Sequence, residues 1–153
     1  MTDVLTPAQR RLNMSRIRGT NTKPEMLVRR ALHARGLRFR LHRADLPGRP
    51  DLVFPAHRTV IFIHGCFWHG HDCALCKVPA TRTEFWIAKI ARNKDRDELT
   101  LQRLRQDGWR ALVIWECALR GPGRLDPDRL YHSCASFVLN DRRSLRQITG
   151  RSV

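Results

Sequence analysis

Residues 60–73 combine a short apolar run with side chains that bind metal ions or transfer protons. Residues 60–63 are Val-Ile-Phe-Ile, a pattern that predicts a buried strand. The thirteen residues that follow this run hold three histidines and three cysteines, namely His64, Cys66, His69, His71, Cys73 and Cys76. Imidazoles and thiolates are ligands of transition metals, and histidine also titrates near neutral pH. The pattern therefore predicts a functional site at the end of this strand.

A structural zinc ion is the metal that this group of residues favours. Such an ion is held by four tetrahedral nitrogen or sulfur ligands and has no open position. Cys73 and Cys76 have the spacing of a zinc knuckle, whereas Cys66, His71 and Cys73 can also converge in a tight loop. Separate buried thiols and surface histidines are the alternative, which the density of the group disfavours. Spacing leaves the ligand set open among Cys66, His69, His71, Cys73, Cys76 and Cys117, with His64 further back.

Asp51 adds an acidic group to the same region. It precedes a short apolar strand, residues 52–54, and a turn at residues 55–57 leads into a strand over residues 58–63. This hairpin brings Asp51 close to the histidines. With a main-chain carbonyl on the adjacent strand it could bind Mg²⁺, a cation that prefers oxygen ligands. A histidine not used for zinc could take a proton from a water molecule, which predicts a metal-assisted phosphodiesterase. A purely structural aspartate is the alternative.

The charge of the chain indicates its partner. Lysine and arginine number 29 against 14 acidic residues, which gives a formal net charge of +15. Nearly all of the positive residues are arginine, whose guanidinium makes forked hydrogen bonds to phosphate. An inert basic surface and an acidic membrane are the alternatives. Because the positive residues are spread along the chain rather than placed beside an apolar helix, we expect a nucleic acid.

The location of the protein is predicted from what its sequence lacks. The first seven residues contain no apolar signal core, and no stretch of the sequence reaches transmembrane length. We therefore expect a cytoplasmic protein that associates with the nucleoid when bound to DNA, and no membrane partner. In a reducing compartment the five cysteines are metal ligands or buried thiols rather than disulfides.

A basic arm is expected at the N-terminus. Thr6 and Pro7 can begin a helix that runs to about Arg18 and carries Met14 and Ile17 one turn apart. The arm either packs on the domain or lies on DNA with its apolar residues toward the groove, and the residues leave both open.

The next segment predicts a helix and a strand. Thr22 and Glu25 form a capping box at the start of a helix that ends at Gly36, which gives Glu25 an ordinary role as a cap residue. Residues 37–41 alternate apolar and basic side chains and predict a strand.

A long helix is predicted after residue 80. Thr81 and Glu84 form a second capping box, and Gly108 ends the helix. Its buried residues are expected to be Ile87, Ile90, Leu101 and Leu104. A neighbouring face places a tryptophan beside phosphate-binding and hydrogen-bonding groups: Trp86, Lys89, Asn93 and Arg96.

The remaining elements complete an α/β domain with a mixed sheet. Residues 109–117 predict a core strand that ends in Cys117, and Asp126 caps a last helix. The basic residues 141–153 are expected to form a tail with little regular structure. The hairpin strands and the crossover strand should meet at the site.

Four motifs occur in order along this chain. They are residues 46–51 (Leu-Pro-Gly-Arg-Pro-Asp), 64–69 (His-Gly-Cys-Phe-Trp-His), 78–86 (Val-Pro-Ala-Thr-Arg-Thr-Glu-Phe-Trp) and 113–121 (Val-Ile-Trp-Glu-Cys-Ala-Leu-Arg-Gly). The chain closely resembles the very-short-patch mismatch-repair endonucleases from about Asn13 to Gly121. This resemblance implies the restriction-endonuclease-like fold of the PD-(D/E)xK superfamily, with helices around a central mixed sheet and a structural zinc site. It also implies a Mg²⁺-dependent nick on the 5′ side of the mismatched T in T:G pairs that arise from 5-methylcytosine deamination.

The resemblance implies the roles of individual residues. Asp51 would bind Mg²⁺ with the main-chain carbonyl of Ile63. His69 would be the catalytic base, His64 a supporting catalytic histidine, and Glu25 part of the network of water and phosphate contacts. The zinc ligands would be Cys66, His71, Cys73 and Cys117, which excludes Cys76. Residues expected to contact DNA are Phe67, Trp68 and Trp86 from the major groove, Met14 from the minor groove, and Lys89 and Asn93.

The sequence departs from the family pattern at two places. Residue 63 is Ile, where the family has a hydroxyl residue, so a side-chain role at this position would be lost. The acidic-x-Lys half of the broader nuclease signature is also absent, and His64 and His69 stand in that neighbourhood.

These observations predict three units: a DNA-contacting arm (1–20), an endonuclease domain (21–140) and a basic tail (141–153). The expected partner of this monomer is double-stranded DNA with a T:G mismatch, and other mismatch-repair proteins are further candidates. The alternatives are a non-catalytic, zinc-stabilised DNA-binding module and a restriction endonuclease that cuts matched duplex.

Overall fold

The computed structural model describes residues 21–152, together with Thr6 and Ala8. Met14 and nearly all of the predicted arm lie outside these residues. The described elements, in chain order, are α1 (Lys23–Ala34), β1 (Arg40–Leu41), β2 (Leu52–Phe54), a 3₁₀ turn (Pro55–His57), β3 (Thr59–His64), α2 (Thr83–Gln106), β4 (Arg110–Trp115), α3 (Glu116–Leu119), α4 (Pro127–Asn140) and β5 (Leu145–Ile148). None of the helices in this described part is long and apolar enough to cross a membrane.

The five strands form one mixed sheet in the order β1-β2-β3-β4-β5. The pairs β1–β2 and β2–β3 are antiparallel, whereas β3–β4 and β4–β5 are parallel. The predicted α/β class with a mixed sheet is therefore confirmed. His64 pairs with Trp115 at the carboxyl ends of β3 and β4, so the segments that follow these two strands leave the sheet at the same edge.

Alternating side chains along the strands build a separate core on each face of the sheet. Ile61 of β3 and Leu112 of β4 belong to the cluster that packs against α1 and α4. Val60 and Phe62 belong to the cluster on the opposite face, which includes Leu104 of α2. The domain thus has three layers, and the site lies where the central layer ends.

The C-terminal residues contain a strand that the sequence analysis missed. Residues 141–153 were expected to have little regular structure, and this expectation was wrong. Residues 145–148 form β5, which pairs with β4 from Leu145 opposite Ala111 to Ile148 opposite Ile114. Ile148 is buried in the core beneath α4. The described part of the tail therefore contains β5, the edge strand of the sheet.

Three other expectations need correction. The strand predicted over residues 37–41 is confined to Arg40–Leu41. Ile87, which was expected to be buried, is 55% exposed. Cys117 lies in the short helix α3 rather than at the end of β4, because β4 stops at Trp115.

The start of α2 also differs from the prediction. Arg82 at the N-cap position has φ of 56°, and its side chain makes no capping hydrogen bond. The hydroxyl of Thr83 instead lies 2.9 Å from the carbonyl oxygens of both Pro79 and Ala80. The predicted capping box of Thr81 and Glu84 was therefore wrong, since the chain enters the helix through a left-handed residue that a side-chain cap does not fit.

We predict that Thr83→Val lowers the free energy of unfolding by about 1 kcal/mol, because it removes a hydroxyl donor while keeping the shape of the side chain. The matched variant Thr81→Val alters an exposed residue and should change stability by less than about 0.5 kcal/mol. Urea unfolding of both variants measures the difference. Equal losses would instead support the capping box.

Candidate active site

Asp51 lies at the start of β2, beside the end of β3. Its Oδ2 accepts a hydrogen bond from the main-chain N–H of Ile63 at 2.7 Å. Burial, together with the nearby carboxylate of Glu25, raises the pKa of Asp51 to about 7, although the hydrogen bond from the Ile63 N–H lowers it. The hairpin thus places a carboxyl group that is costly to ionise where the sequence predicted an acidic group. A bound cation would relieve the cost of ionising it.

Glu25 belongs to the same site although it also takes part in the N-terminal cap of α1. Its main-chain N–H donates to Thr22, and its Oε1 accepts from the N–H of Asn21. The side chain is nevertheless buried, with 1% exposure, and its Oε2 lies 2.8 Å from His42 Nε2 and 3.3 Å from the guanidinium of Arg29. The cap explains the position of Glu25, and the contacts with His42 and Arg29 explain how a carboxylate is tolerated there.

His69, His64 and Asp97 form a second group on the other side of Asp51. The rings of His64 and His69 are stacked, with centroids 3.8 Å apart and an angle of 3° between planes. His69 Nδ1 lies 2.5 Å from Asp97 Oδ2. A carboxylate at Nδ1 favours the tautomer that carries its proton there, which leaves Nε2 of His69 free to accept a proton.

His64 is held neutral by its surroundings. Burial, together with the adjacent ring of His69, lowers its pKa to about 3, although Asp97 opposes this shift. Among the described residues, His64 Nδ1 is a buried polar atom without a hydrogen-bond partner. Such an unsatisfied buried nitrogen is rare in protein interiors and marks His64 as more than a packing residue.

The two groups open into one cleft of about 430 Å³. Asp51, Ile63, His64 and His69 all line it, and Arg49 and Arg96 bring positive charge to it. The full lining is His42, Gly48, Arg49, Asp51, Phe62, Ile63, His64, His69, Arg96, Asp97, Thr100 and Leu101. An acid, a base and two guanidinium groups around one cleft suit a phosphodiester.

Four candidate metal ligands, which we call the metal cluster, come together after β3 and β4. They are Cys66, His71, Cys73 and Cys117, and their candidate ligand atoms all lie within 4.8 Å of one another. His71 Nδ1 is 3.6 Å from Cys66 Sγ and 3.5 Å from Cys117 Sγ. A tetrahedron with metal–ligand distances of about 2.0–2.3 Å has edges of roughly 3.5 Å. Both the spacing and the soft sulfur and nitrogen donors of the metal cluster therefore fit a closed transition-metal site.

The metal cluster joins the loop after β3 to the end of β4. The main-chain N–H of Cys117 donates to Cys66 Sγ at 3.3 Å, and the N–H of Cys66 donates to Glu116 Oε1 at 3.2 Å. Burial raises the pKa of Cys66, so its thiol stays protonated unless a cation is present. Cys76 is not part of this group, although its N–H donates to the carbonyl of Cys73 in a turn.

An aromatic cluster consists of Phe67, Trp68, Phe85 and Trp86, and two of its members, Phe67 and Trp68, line a second cavity together with Ile63 and His69. The ring centroids of Trp68 and Trp86 are 5.9 Å apart, and Phe67 lies 5.5 Å from Trp86. Lys89 Nζ lies 5.4 Å from the centroid of Trp68, and Asn93 donates to the carbonyl of Trp68 at 2.9 Å. Large, partly exposed rings with a cation beside them form a surface on which nucleic-acid bases can stack.

The sequence model of the family described as "DNA mismatch endonuclease Vsr" matches residues 2–75. The chain is 50% identical over 126 residues to the "Type II nicking enzyme V.XorIIP" of Xanthomonas oryzae pv. oryzae, covering 82% of this chain and 93% of that relative. It is 47% identical over 141 residues to the "DNA mismatch endonuclease Vsr" of Escherichia coli, covering 92% and 90% respectively. The chain belongs to the Vsr family of DNA mismatch endonucleases.

The structure of this Vsr family member brings together most of the residues that the sequence singled out. The cleft is lined by Asp51, Ile63, His64 and His69, and Glu25 adjoins it through Asp51. The four residues expected to bind zinc share one cluster, and the aromatic residues share another. The roles of these residues stay predictions, and Met14 lies outside the described part of the chain.

Two residues of the site were not found from the sequence. Asp97 follows Asn93 by four positions on α2 and so faces the same direction, a spacing that could have identified it. His42 directly follows β1, which pairs with β2, so it neighbours Asp51 across the hairpin. Its N–H donates to the Asp51 carbonyl at 3.4 Å. This contact depends on strand pairing, and the prediction of β1 was too imprecise to show it.

We predict that Asp51→Asn stabilises the protein at alkaline pH when Mg²⁺ is omitted. The folded-state pKa of Asp51 is raised to about 7, so the stabilisation from its protonated form is lost as the pH rises through that value. Between about pH 5 and about pH 8 the Tm of the unmodified chain should fall relative to the Tm of the variant. Each kcal/mol lost from the free energy of unfolding lowers the Tm by about 2–4 °C.

Thermal unfolding at several pH values, with and without Mg²⁺, measures this effect. Mg²⁺ should raise the Tm of the unmodified chain at the upper pH and leave the variant unchanged, because the amide has no charge to neutralise. A parallel pH dependence for the two proteins would contradict the prediction.

Proposed function

We propose that the protein is a Mg²⁺-dependent DNA endonuclease that nicks one strand on the 5′ side of the mismatched T in T:G pairs and so initiates very-short-patch repair. The observation that carries this proposal is the adjacency of Trp68 and His69. One residue belongs to the aromatic cluster, and the next lines the same cleft as Asp51. A duplex opened by the aromatic cluster would therefore present its backbone to the imidazole of His69.

His69 is the proposed general base for the attacking water. Its Nε2 is free because Nδ1 is engaged by Asp97, and the Asp97 carboxylate stabilises the imidazolium that forms when the proton arrives. His64 stacks on His69 and stays neutral, so it does not add a second positive charge against the protonated ring. Asp97 thus acts as the residue that orients the base.

Asp51 and the main-chain carbonyl of Ile63 are the proposed Mg²⁺ ligands. The Ile63 N–H uses Oδ2 of Asp51, which leaves Oδ1 for a cation, and both residues line the cleft. Bound Mg²⁺ would neutralise charge on the phosphate and stabilise the leaving oxygen. Because a main-chain carbonyl does not depend on the side chain, Ile at position 63 is compatible with this role. Glu25, fixed by His42, would hold water at the edge of the site.

Selection of the mismatch is assigned to the aromatic cluster. Opening a base step costs a few kcal/mol, and this cost is lowest at a mismatch. Rings that wedge between bases therefore favour T:G over matched pairs. Phe67, Trp68 and Trp86 would enter from the major groove, with Lys89 and Asn93 beside them. Met14 would enter from the minor groove. The net charge of +15 supports contact with the DNA backbone around this site.

Zinc is proposed for the metal cluster of Cys66, His71, Cys73 and Cys117. Its role would be structural, since four protein ligands leave no open position for a substrate. The ion would fix the loop that carries Trp68 and His69.

We predict a Mg²⁺-dependent nick in a duplex that carries T:G, on the 5′ side of the T, and none in otherwise identical duplexes with T:A or C:G. Each strand is labelled separately, so that the cut strand and position are read from fragment length. Asp51→Ala should retain binding to the T:G duplex and lose the nick. Binding without any nick by the unmodified chain would favour a non-catalytic DNA-binding module, and equal cutting of all three duplexes would favour a restriction endonuclease.

We predict that Cys73→Ser loses the bound metal and much of its thermal stability, whereas Cys76→Ser keeps one zinc ion per chain. Cys76 is the matched control because it lies three residues away but outside the metal cluster. Elemental analysis after dialysis measures the zinc content. The reverse pattern would show that Cys76 is the ligand.

A further inference from the structure

The segment that follows β5 crosses the metal cluster. The main-chain N–H of Gly150 donates to Cys117 Sγ at 3.2 Å. Within the part of the chain that the structure describes, a second amide also points at a sulfur atom of the metal cluster, since the N–H of Cys117 itself donates to Cys66 Sγ. Hydrogen bonds from main-chain amides to a thiolate ligand are charge-assisted and fix the orientation of the ligand. The contact lies about thirty residues away from Cys117 in sequence and depends on how β5 pairs with β4.

Close packing shows that this segment is fixed against the metal cluster. A Cβ atom at Gly150 would lie 2.3 Å from the carbonyl oxygen of Cys117, and one at Gly123 would lie 2.3 Å from the carbonyl oxygen of Arg151. The N–H of Arg151 donates to the Gly123 carbonyl at 2.7 Å. Backbone therefore meets backbone on both sides of Gly150, and only glycine permits the approach at these two positions.

The segment also covers one side of the metal cluster. Cys73 and Cys117 share a cavity of about 400 Å³ with Gly150 and Arg151, so the C-terminal segment forms a wall of the space next to the ligands. β5 holds this wall in place, because Ile148 is buried and paired with Ile114. A metal ion or a chelator that reaches the metal cluster through this cavity would pass along this wall.

We propose that the segment from Thr149 to Arg151 is part of the metal site. The Gly150 amide orients the Cys117 thiolate, and the backbone of the segment restricts exchange of the metal. This inference rests on the metal proposed for the cluster. Removing such an outer contact to a metal ligand typically weakens metal affinity by about 10–100-fold. The segment that the sequence described as a tail would then determine how firmly the loop after β3 is held.

The test compares two truncations of the full chain. Deletion of residues 150–153 removes the Gly150 donor, and deletion of residues 152–153 keeps Gly150 and Arg151 as a matched control. Both proteins retain β5, and far-UV circular dichroism checks their fold. Each is loaded with one equivalent of Zn²⁺, and the rate of its transfer to an excess of a metallochromic chelator is measured. We expect transfer to be at least about tenfold faster for the longer deletion and unchanged for the shorter one.

A second variant keeps the test valid should the longer deletion fail to fold. Gly150→Ala retains the N–H but places a methyl group against the Cys117 carbonyl, so the segment must move away from the metal cluster. Gly36→Ala is its control, since Gly36 has φ of +88° and an added Cβ there meets no atom within 4 Å. The Gly36→Ala substitution therefore strains the backbone at a position away from the metal cluster. Faster zinc transfer in Gly150→Ala, but not in Gly36→Ala, is expected.

The outcomes separate this inference from the proposed function. A full chain that binds no zinc would overturn both the proposed metal and this inference. A full chain that binds one zinc ion, with equal transfer rates in all four variants, would overturn only the inference and leave the proposed metal in place.

Discussion

The attachment of the loop after β3 to the end of β4 is the constraint on which the rest of the site depends. Between His64 and Thr83 the chain forms no helix or strand, yet it carries His69 and much of the aromatic cluster. A segment of this kind would be mobile if only water surrounded it. Cys66 is instead fully buried, and its main-chain N–H and Sγ bond to Glu116 and Cys117 of α3. The loop takes its position from the sheet through these contacts.

The cleft concentrates charge that the fold would not otherwise retain. The Glu25 carboxylate raises the pKa of the neighbouring Asp51, and Glu25 itself is buried with 1% exposure. The structure offsets this cost with the Ile63 N–H, with Arg29 and with His42. A purely structural interior would use apolar residues here, because buried charge rarely adds stability. The arrangement is understandable as a site that is completed by a cation and a phosphate.

The sequence predicted those parts of the structure that depend on local patterns. Apolar runs identified β2, β3 and β4, and their order placed Asp51 near the histidines. β5 was missed because its four residues alternate exposed and partly buried side chains, and only Ile148 is buried. Such a strand is recognisable only from its pairing with β4.

The site shows the same division between local and long-range information. Thr22 and Glu25 do cap α1, and the capping box alone gave no reason to expect that Glu25 reaches His42, seventeen positions away. The spacing from Asn93 indicates only which face of α2 carries Asp97, and its role as a partner of His69 depends on a tertiary contact. In both cases the local pattern was sufficient for one role of the residue, and a tertiary contact supplied the other.

Trp115 connects the two halves of the site. Its ring stacks on His71 of the metal cluster, with centroids 4.3 Å apart, and meets His64 edge-on at 5.1 Å. Its indole N–H donates to Gln147 of β5 at 2.9 Å. Because the core packs at high density, a shift of the loop at His71 cannot leave this ring and His64 undisturbed. The position of the proposed catalytic histidines therefore depends on the same side chain against which the metal cluster is built, and β5 fixes that side chain from its far end.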